Sequence, residues 1–388
     1  MAKINTYPEV RFASFTDYWV EQELGEVAKF NPKHELPDVF NYVDLESVVG
    51  TEMISYRKEY KISAPSRAQR LAEKGDVFYQ TVRPYQKNNL LFDRKDKDFV
   101  FSTGYAQLRP IIESSFLFTL IQKEKFVKIV LNNCTGTSYP AINSTVLASI
   151  KQYFPKSKDE QKLIGNFFEN IDNLISEHHQ KHAKLKSLNQ AVLDKMFPKQ
   201  GQVIPEIRFK GFEGDWVEYE VGEIFTVTRG NVLATSKISK SKNDVMQYPV
   251  YSSQTANNGL LGYYDEYLFE NAITWTTDGA NAGTVNYRKE KFYSTNVNGV
   301  LLSDEGFANK MVAEAINKLT SKYVLRVGNP KLMNNVMSQI KIILPSSIEE
   351  QSLISKKLIL IEDVLFQHKH QIIKLNNIKK AFLAKMFI

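Results

Sequence analysis

Few residues of this chain have the types and spacing that covalent chemistry demands. Asp38 precedes Glu59-Tyr60-Lys61. In many nucleases two carboxylates so placed hold Mg²⁺ and a lysine assists the attacking water. That makes a Mg²⁺-dependent nuclease built on Asp38, Glu59 and Lys61 one candidate. The pattern is short, and the second half of the chain has no counterpart. His178 and His182 lie one helical turn apart, but Glu177 precedes the pair, so the zinc-protease pattern His-Glu-x-x-His is absent. Polar residues that set the register of a helix seam account for these histidines more simply. No Gly-Lys-Ser/Thr phosphate loop and no Asn/Asp-Pro-Pro-aromatic sequence of the amino-methyltransferases occurs. Outside the long helical segments the only histidine is His34, so histidine acid–base catalysis lacks material. No catalytic and no metal-ligating set is expected.

Recognition chemistry is better supplied. The first half offers Lys61, Ser66, Arg67, Arg70, Gln80, Thr81, Arg83, Tyr85 and Lys87 in polar stretches. The second offers Arg229, Lys237, Lys240, Ser253, Gln254, Thr255, Asn257, Asn258, Thr276, Thr277, Asn281 and Arg288. No acid lies between Arg229 and Lys242. Arg, Gln and Asn make paired hydrogen bonds to guanine or adenine edges, whereas Ser, Thr and Lys suit phosphates. The same Ser-, Asn- and Gly-rich segments also form ordinary turns.

The elements that must position these residues are bounded by composition. With 388 residues, 43% apolar and 24% charged, the chain can build two or three packed domains. Its aromatic and apolar content excludes disorder as the main state. The single cysteine, Cys134, excludes a disulfide framework and a cysteine-rich zinc site. No stretch reads as a signal peptide or a membrane span, so a cytoplasmic protein is expected. The net charge of +7 is scattered: +2 over residues 1–154, +2 over 155–200, zero over 201–344 and +3 over 345–388. A nucleic-acid partner would be gripped by local patches, not by a polycationic surface.

The chain is internally duplicated. Pro8-Glu9-Val10-Arg11-Phe12 recurs as Pro205-Glu206-Ile207-Arg208-Phe209, Trp19 as Trp216, and Leu24-Gly25-Glu26-Val27 as Val221-Gly222-Glu223-Ile224, all at an offset of 197. From Pro155 to Phe197 a second match, to Pro345–Phe387 at an offset of 190, gives 15 identities in 43 positions. It includes Glu160-Gln161 with Glu350-Gln351 and Lys195-Met196-Phe197 with Lys385-Met386-Phe387. Between these anchors the halves diverge.

Both repeat ends predict long helices of about 40 residues and about 60 Å. Ile164, Phe168, Ile171, Ile175, Leu185, Leu188, Val192 and Met196 form one seam. Ile354, Leu358, Ile361, Leu365, Ile372, Leu375, Phe382 and Met386 form the other. Alternating steps of three and four are the coiled-coil signature. A pseudo-two-fold relation would make the pair antiparallel. Phe167, beside the first seam, is a candidate exposed docking residue. The diverged segments predict strands at 76–82, 99–101, 116–120, 248–251 and 272–275 and helices near 65–74 and 308–319. The fold class is α+β. The divisions are a globular domain at 1–154, a helix and linker at 155–200, a second globular domain at 201–344 and a C-terminal helix at 345–388.

The paired Pro-Glu-Val/Ile-Arg-Phe…Trp…Gly-Glu entries, Pro…Glu-Gln…Leu-Ile helix starts and Lys-Met-Phe helix ends resemble the specificity subunit of type I restriction–modification systems. Gly75-Asp76-Val77-Phe78…Thr81-Val82-Arg83-Pro84 resembles one class of target recognition domain, and the stretch from Tyr248 through Thr276 to Thr284 another. The resemblance implies two target recognition domains, each reading one half of an asymmetric split DNA site, on an antiparallel coiled coil that fixes the spacing. It implies two modification (methyltransferase) subunits docked on the helices, and restriction subunits that translocate and cut DNA. S-adenosylmethionine, ATP and Mg²⁺ would sit on those partners, with no cofactor on this chain and no membrane. A standalone DNA-binding or scaffold protein is the competing class and predicts no exposed apolar side chains on the helices.

Overall fold

The computed structural model describes residues 7–253 and 256–388. They fall into two compact units. One comprises residues 1–179 with 370–388, the other residues 180–369. Each long helix therefore contributes to both units. The helices are Lys158–Lys195 and Ile348–Lys385, 38 residues each. Among the described residues no helix is long and apolar enough to cross a membrane.

In the first unit the strand Val20–Glu23 pairs antiparallel with Lys151–Phe154, in the register Val20 to Phe154. One helical turn, Leu24–Val27, follows, and Glu26 accepts the Glu23 N–H at 2.8 Å in a capping box. The sequence repeat dictates the same construction in the second unit. Val217–Glu220 pairs with Lys341–Leu344, and Glu223 caps Val221–Ile224 at 2.8 Å.

Beyond this frame the units differ. The first unit has two four-stranded sheets. In spatial order one runs Ala28–Phe30, Tyr105–Pro110, Val77–Gln80, Leu90–Leu91, and the other Arg57–Tyr60, Val39–Val43, Phe99–Ser102, Ala68–Leu71. The second unit has a four-stranded sheet (Thr226–Arg229, Asn298–Leu302, Ala272–Thr276, Val285–Arg288) and a three-stranded one (Leu260–Tyr264, Tyr248–Tyr251, Tyr293–Ser294). Lys310–Thr320 is a helix, close to the expected 308–319.

Two local expectations are corrected. Residues 68–71 form a strand, not part of a helix, because they pair antiparallel with Phe99–Ser102 and bury Ala68 against that sheet. Ser114–Leu120 is a helix, not a strand. Its short apolar run fits either period, and burial of Phe116, Leu117 and Leu120 on one helical face decides.

The ends of the long helices enter the cores. In the first unit Phe387 lies 6.1 Å from Trp19 and 5.5 Å from Phe116, ring centre to ring centre. Phe382 meets Phe167 at 5.0 Å, and Lys379 binds Asp172, so the two helical segments of this unit run antiparallel. Phe167 is packed there and also against Phe12, so it is not the exposed docking residue expected. In the second unit Met196 and Phe197 share one apolar core with Trp216, Ile354 and Leu358. The expected seams hold except at Leu188, which is 49% exposed while Asn189 turns inward. From Leu185 a step of four, not three, keeps the seam.

Candidate nucleic-acid interface

Each unit has a buried polar anchor where its entry segment meets the start of a long helix. Arg11 makes two parallel hydrogen bonds to Glu160, at 2.6 and 2.8 Å, and the carboxylate is buried. The bonds to Glu160 push the guanidinium's proton affinity up. Trp19 Nε1 donates to the same carboxylate at 3.3 Å. Arg208 and Glu350 repeat the pair at 2.7 and 2.8 Å. A bidentate charged pair fixes geometry as well as charge. Beside it Gln161 donates to the Pro155 carbonyl at 2.8 Å, and Gln351 to that of Pro345 at 2.9 Å. These contacts lock the strand-to-helix corner that ends each globular domain.

In the first unit the turn after the strand Val77–Gln80 brings Gln80, Thr81, Arg83, Tyr85 and Lys87 together. Thr81 donates through both N–H and hydroxyl to the Gly104 carbonyl, and Thr103 N–H donates to Arg67, so Arg67 and this turn flank one hairpin tip. Gln80 and Thr81 are buried; Gln80 donates to Gln86 at 2.9 Å and serves the turn itself. Lys87 donates to Glu124 at 2.7 Å and to the Gln122 carbonyl at 3.1 Å, beside a cavity of about 420 Å³. Arg83 and Tyr85 face solvent, Arg83 partly. Lys61, Ser66 and Arg67 are exposed and Arg70 half-buried, on the second sheet of this unit. Burial lowers the Arg70 pKa.

Of the nuclease candidates, Asp38 and Lys61 are neighbours, Lys61 N–H donating to the Asp38 carbonyl at 2.9 Å, but the Glu59 and Lys61 side chains have other partners. Glu59 accepts from Arg57 at 2.8 Å, and Lys61 approaches Glu35 at 3.4 Å. Among the described residues no group of three or more His, Cys, Asp or Glu could hold a metal ion.

In the second unit Arg229, Lys237, Lys240, Asn257, Asn258 and Asn281 are exposed and Ser253 half-buried. Gln254 and Thr255 lie outside the described residues. Thr276, Thr277 and Arg288 are buried. Thr277 donates to the Val297 carbonyl at 2.9 Å. Arg288 stacks 3.6 Å over the Tyr251 ring and donates to Thr274 and to the Asn258 carbonyl. Burial lowers its pKa. Thr277 and Arg288 thus tie neighbouring loops together, and all three side chains are buried. Asn257 and Asn258 sit at φ +50° and +54°, a conformation asparagine tolerates, directly on the Arg288 latch.

Two exposed residues complete the loop surfaces and were not singled out from sequence. Tyr139 lies under Arg83, with the guanidinium 4.6 Å from the ring centre. Arg326 is on the corresponding loop of the second unit. The pairing of Tyr139-Pro140 with Asn329-Pro330 at the repeat offset was the available signal.

Similarity to known proteins agrees with this duplicated plan. The model of the type I restriction modification DNA specificity domain matches twice, over residues 17–187 and 213–377. A Mycoplasma pneumoniae protein named as the N-terminus of a type I specificity subunit is 37% identical over 127 residues, which is 32% of this chain and 66% of that protein. The specificity subunit of the type I restriction enzyme MpnII, from the same organism, is 32% identical over 130 residues, 33% of this chain and 38% of its own length. The chain thus spans two thirds or less of these relatives. The crystal structure of a type I S subunit from M. genitalium superposes with a TM-score of 0.73 at 16% identity, over 98% of this chain and 99% of that one. A chain solved for complex assembly and conformational transition of the type I system gives 0.50 at 20% identity, over 95% and 97%. The family model covers both repeats and most of their length, and the chain belongs to the type I restriction–modification DNA specificity family.

Proposed function

We propose that this chain is the DNA-specificity subunit of a type I restriction–modification complex and does no covalent chemistry itself. Each unit reads one half of an asymmetric bipartite site in double-stranded DNA. The long helices set the half-site spacing and dock two modification subunits; restriction subunits complete the complex in the cytoplasm. S-adenosylmethionine, ATP and Mg²⁺ belong to those partners.

One observation carries the reading. A frame repeated down to individual ion pairs holds two unlike loop surfaces, as expected of one scaffold reading two different sequences. Paired modules on a fixed spacer read half-sites at a fixed separation. Docking is supported by Leu360, Phe366 and Ile373, which are 57%, 70% and 50% exposed on the second long helix.

The test is to map methylated adenines in the host with and without this chain. An asymmetric, split motif that disappears with the chain is expected. A palindromic or uninterrupted motif refutes the reading.

A further inference from the structure

We propose that Arg83 is the base-reading residue of the first unit and that it reads a guanine, with Tyr139 holding it in place; this rests on the DNA-specificity reading above. The duplication supplies an internal control. Arg83 N–H donates to the Pro140 carbonyl at 2.8 Å, and Gly279 N–H donates to the Pro330 carbonyl at 3.0 Å. Val82 and Asp278, the residues before them, bridge to Ala141 and Lys331. The two turns are therefore the same turn. Its backbone is left-handed in both: φ is +97° at Gly279 and +55° at Arg83. Glycine is the residue this geometry favours, and the second unit has it. The first unit holds an arginine there against that preference.

Nothing in the fold of the first unit requires the side chain. Lys87, the other left-handed residue of the turn, is anchored by Glu124 and the Gln122 carbonyl. Among the described residues the Arg83 guanidinium has no hydrogen-bond or ion-pair partner, and its single contact of note is the Tyr139 ring. Stacking occupies the face of the guanidinium and leaves its in-plane N–H groups free. Arg83 is half-buried and the Tyr139 ring it stacks on is 64% exposed, so the group lies at the surface. A strained residue that packing does not need points to function. A flat donor fork stacked on a ring matches the two acceptors, O6 and N7, on the major-groove edge of guanine.

The experiment edits the chromosomal copy to Arg83→Gly or Arg83→Lys and maps methylated bases genome-wide, alongside thermal unfolding of each purified full-length chain. Arg83→Gly is expected to keep or raise the unfolding temperature, since it installs the residue of the sister turn. One G·C position in one half-site should lose discrimination by about tenfold or more, with the other half-site unchanged. Arg83→Lys should fail in the same way, because an ammonium cannot make the paired bonds. An unchanged motif in Arg83→Gly overturns the proposal. So does relaxation at an A·T position, or a lowered unfolding temperature, which would make Arg83 structural. If the unedited host shows no split motif, the DNA-specificity reading itself falls, and that is visible before any substitution.

Discussion

The two units make the same contacts with different parts of the chain. In the second, the entry segment clamps a nearby helix end: Ile207 N–H donates to the Lys195 carbonyl at 2.9 Å, and Lys195 pairs with Glu206 at 2.8 Å. In the first, the equivalent contacts join opposite ends of the chain. Val10 donates to Lys385 at 3.0 Å, and Lys385 pairs with Glu9 at 2.8 Å. A core plugged by Met-Phe is thus assembled once through a short connection and once through almost the whole chain. The geometry of the frame is indifferent to how its pieces are joined. What varies is outside the frame: different sheets, different loops, and one left-handed turn filled by arginine in one unit and glycine in the other.

The comparison breaks most sharply at the buried carboxylates. Arg11→Met and Arg208→Met each leave one unpaired, a loss of about 3–5 kcal/mol by denaturant unfolding. Arg208→Met should cost more, because Glu160 keeps the Trp19 donor, whereas Trp216 Nε1 has no partner among the described residues. Equal losses would show that Trp19 contributes nothing to the anchor.

The plugs come next. Phe387→Ala and Phe197→Ala should each cost about 3 kcal/mol or more. Phe387 should cost the larger amount, since it meets the rings of Trp19, Phe116 and Phe168, whereas Phe197 meets that of Trp216. The reverse order in calorimetry would mean that the second core relaxes less around its cavity.

A smaller effect sharpens the seams. Lys379 of the first unit pairs with Asp172, but its counterpart Asn189 leaves Oδ1 buried without a partner, and Glu362, the counterpart of Asp172, turns to Lys310. Asn189→Leu should stabilise by about 1 kcal/mol, while Lys379→Leu should destabilise. Hydrogen exchange in the two helices reads both.

The smallest effect is a pH dependence. Burial, followed by the neighbouring Lys125, lowers the Lys123 pKa to about 8, and burial also lowers that of Lys318, its analogue over the helix-end Phe197. The folded state therefore binds fewer protons than the unfolded chain between about pH 8 and the ordinary lysine value near 10.4, so stability rises with pH across that window. Lys123→Met should flatten this rise in thermal unfolding; an unchanged slope would assign it to other groups.

Much of the frame was legible because its residues repeat. Trp19 and Trp216, the two Glu-Gln pairs and the two Lys-Met-Phe ends all lie where an ion pair or a core requires them. The variable segments were harder to read. Residues 68–71 and the run 116–120 differ from expectation because short runs take their state from the sheet or core they meet. Among candidate loop residues, type and position predicted Arg67, Arg83 and Tyr85 as outward groups. They did not separate them from Gln80, Thr277 and Arg288, whose side chains are buried in the fold.

By itself the sequence determined the duplication, the long helices with their seams and the lack of catalytic motifs, because periodicity and repetition are properties of residue order. Only the tertiary structure decided which helix end plugs which core and which polar side chains remain available to a partner. Those outcomes depend on burial and hydrogen-bond partners brought from distant parts of the chain, and a linear pattern does not carry them.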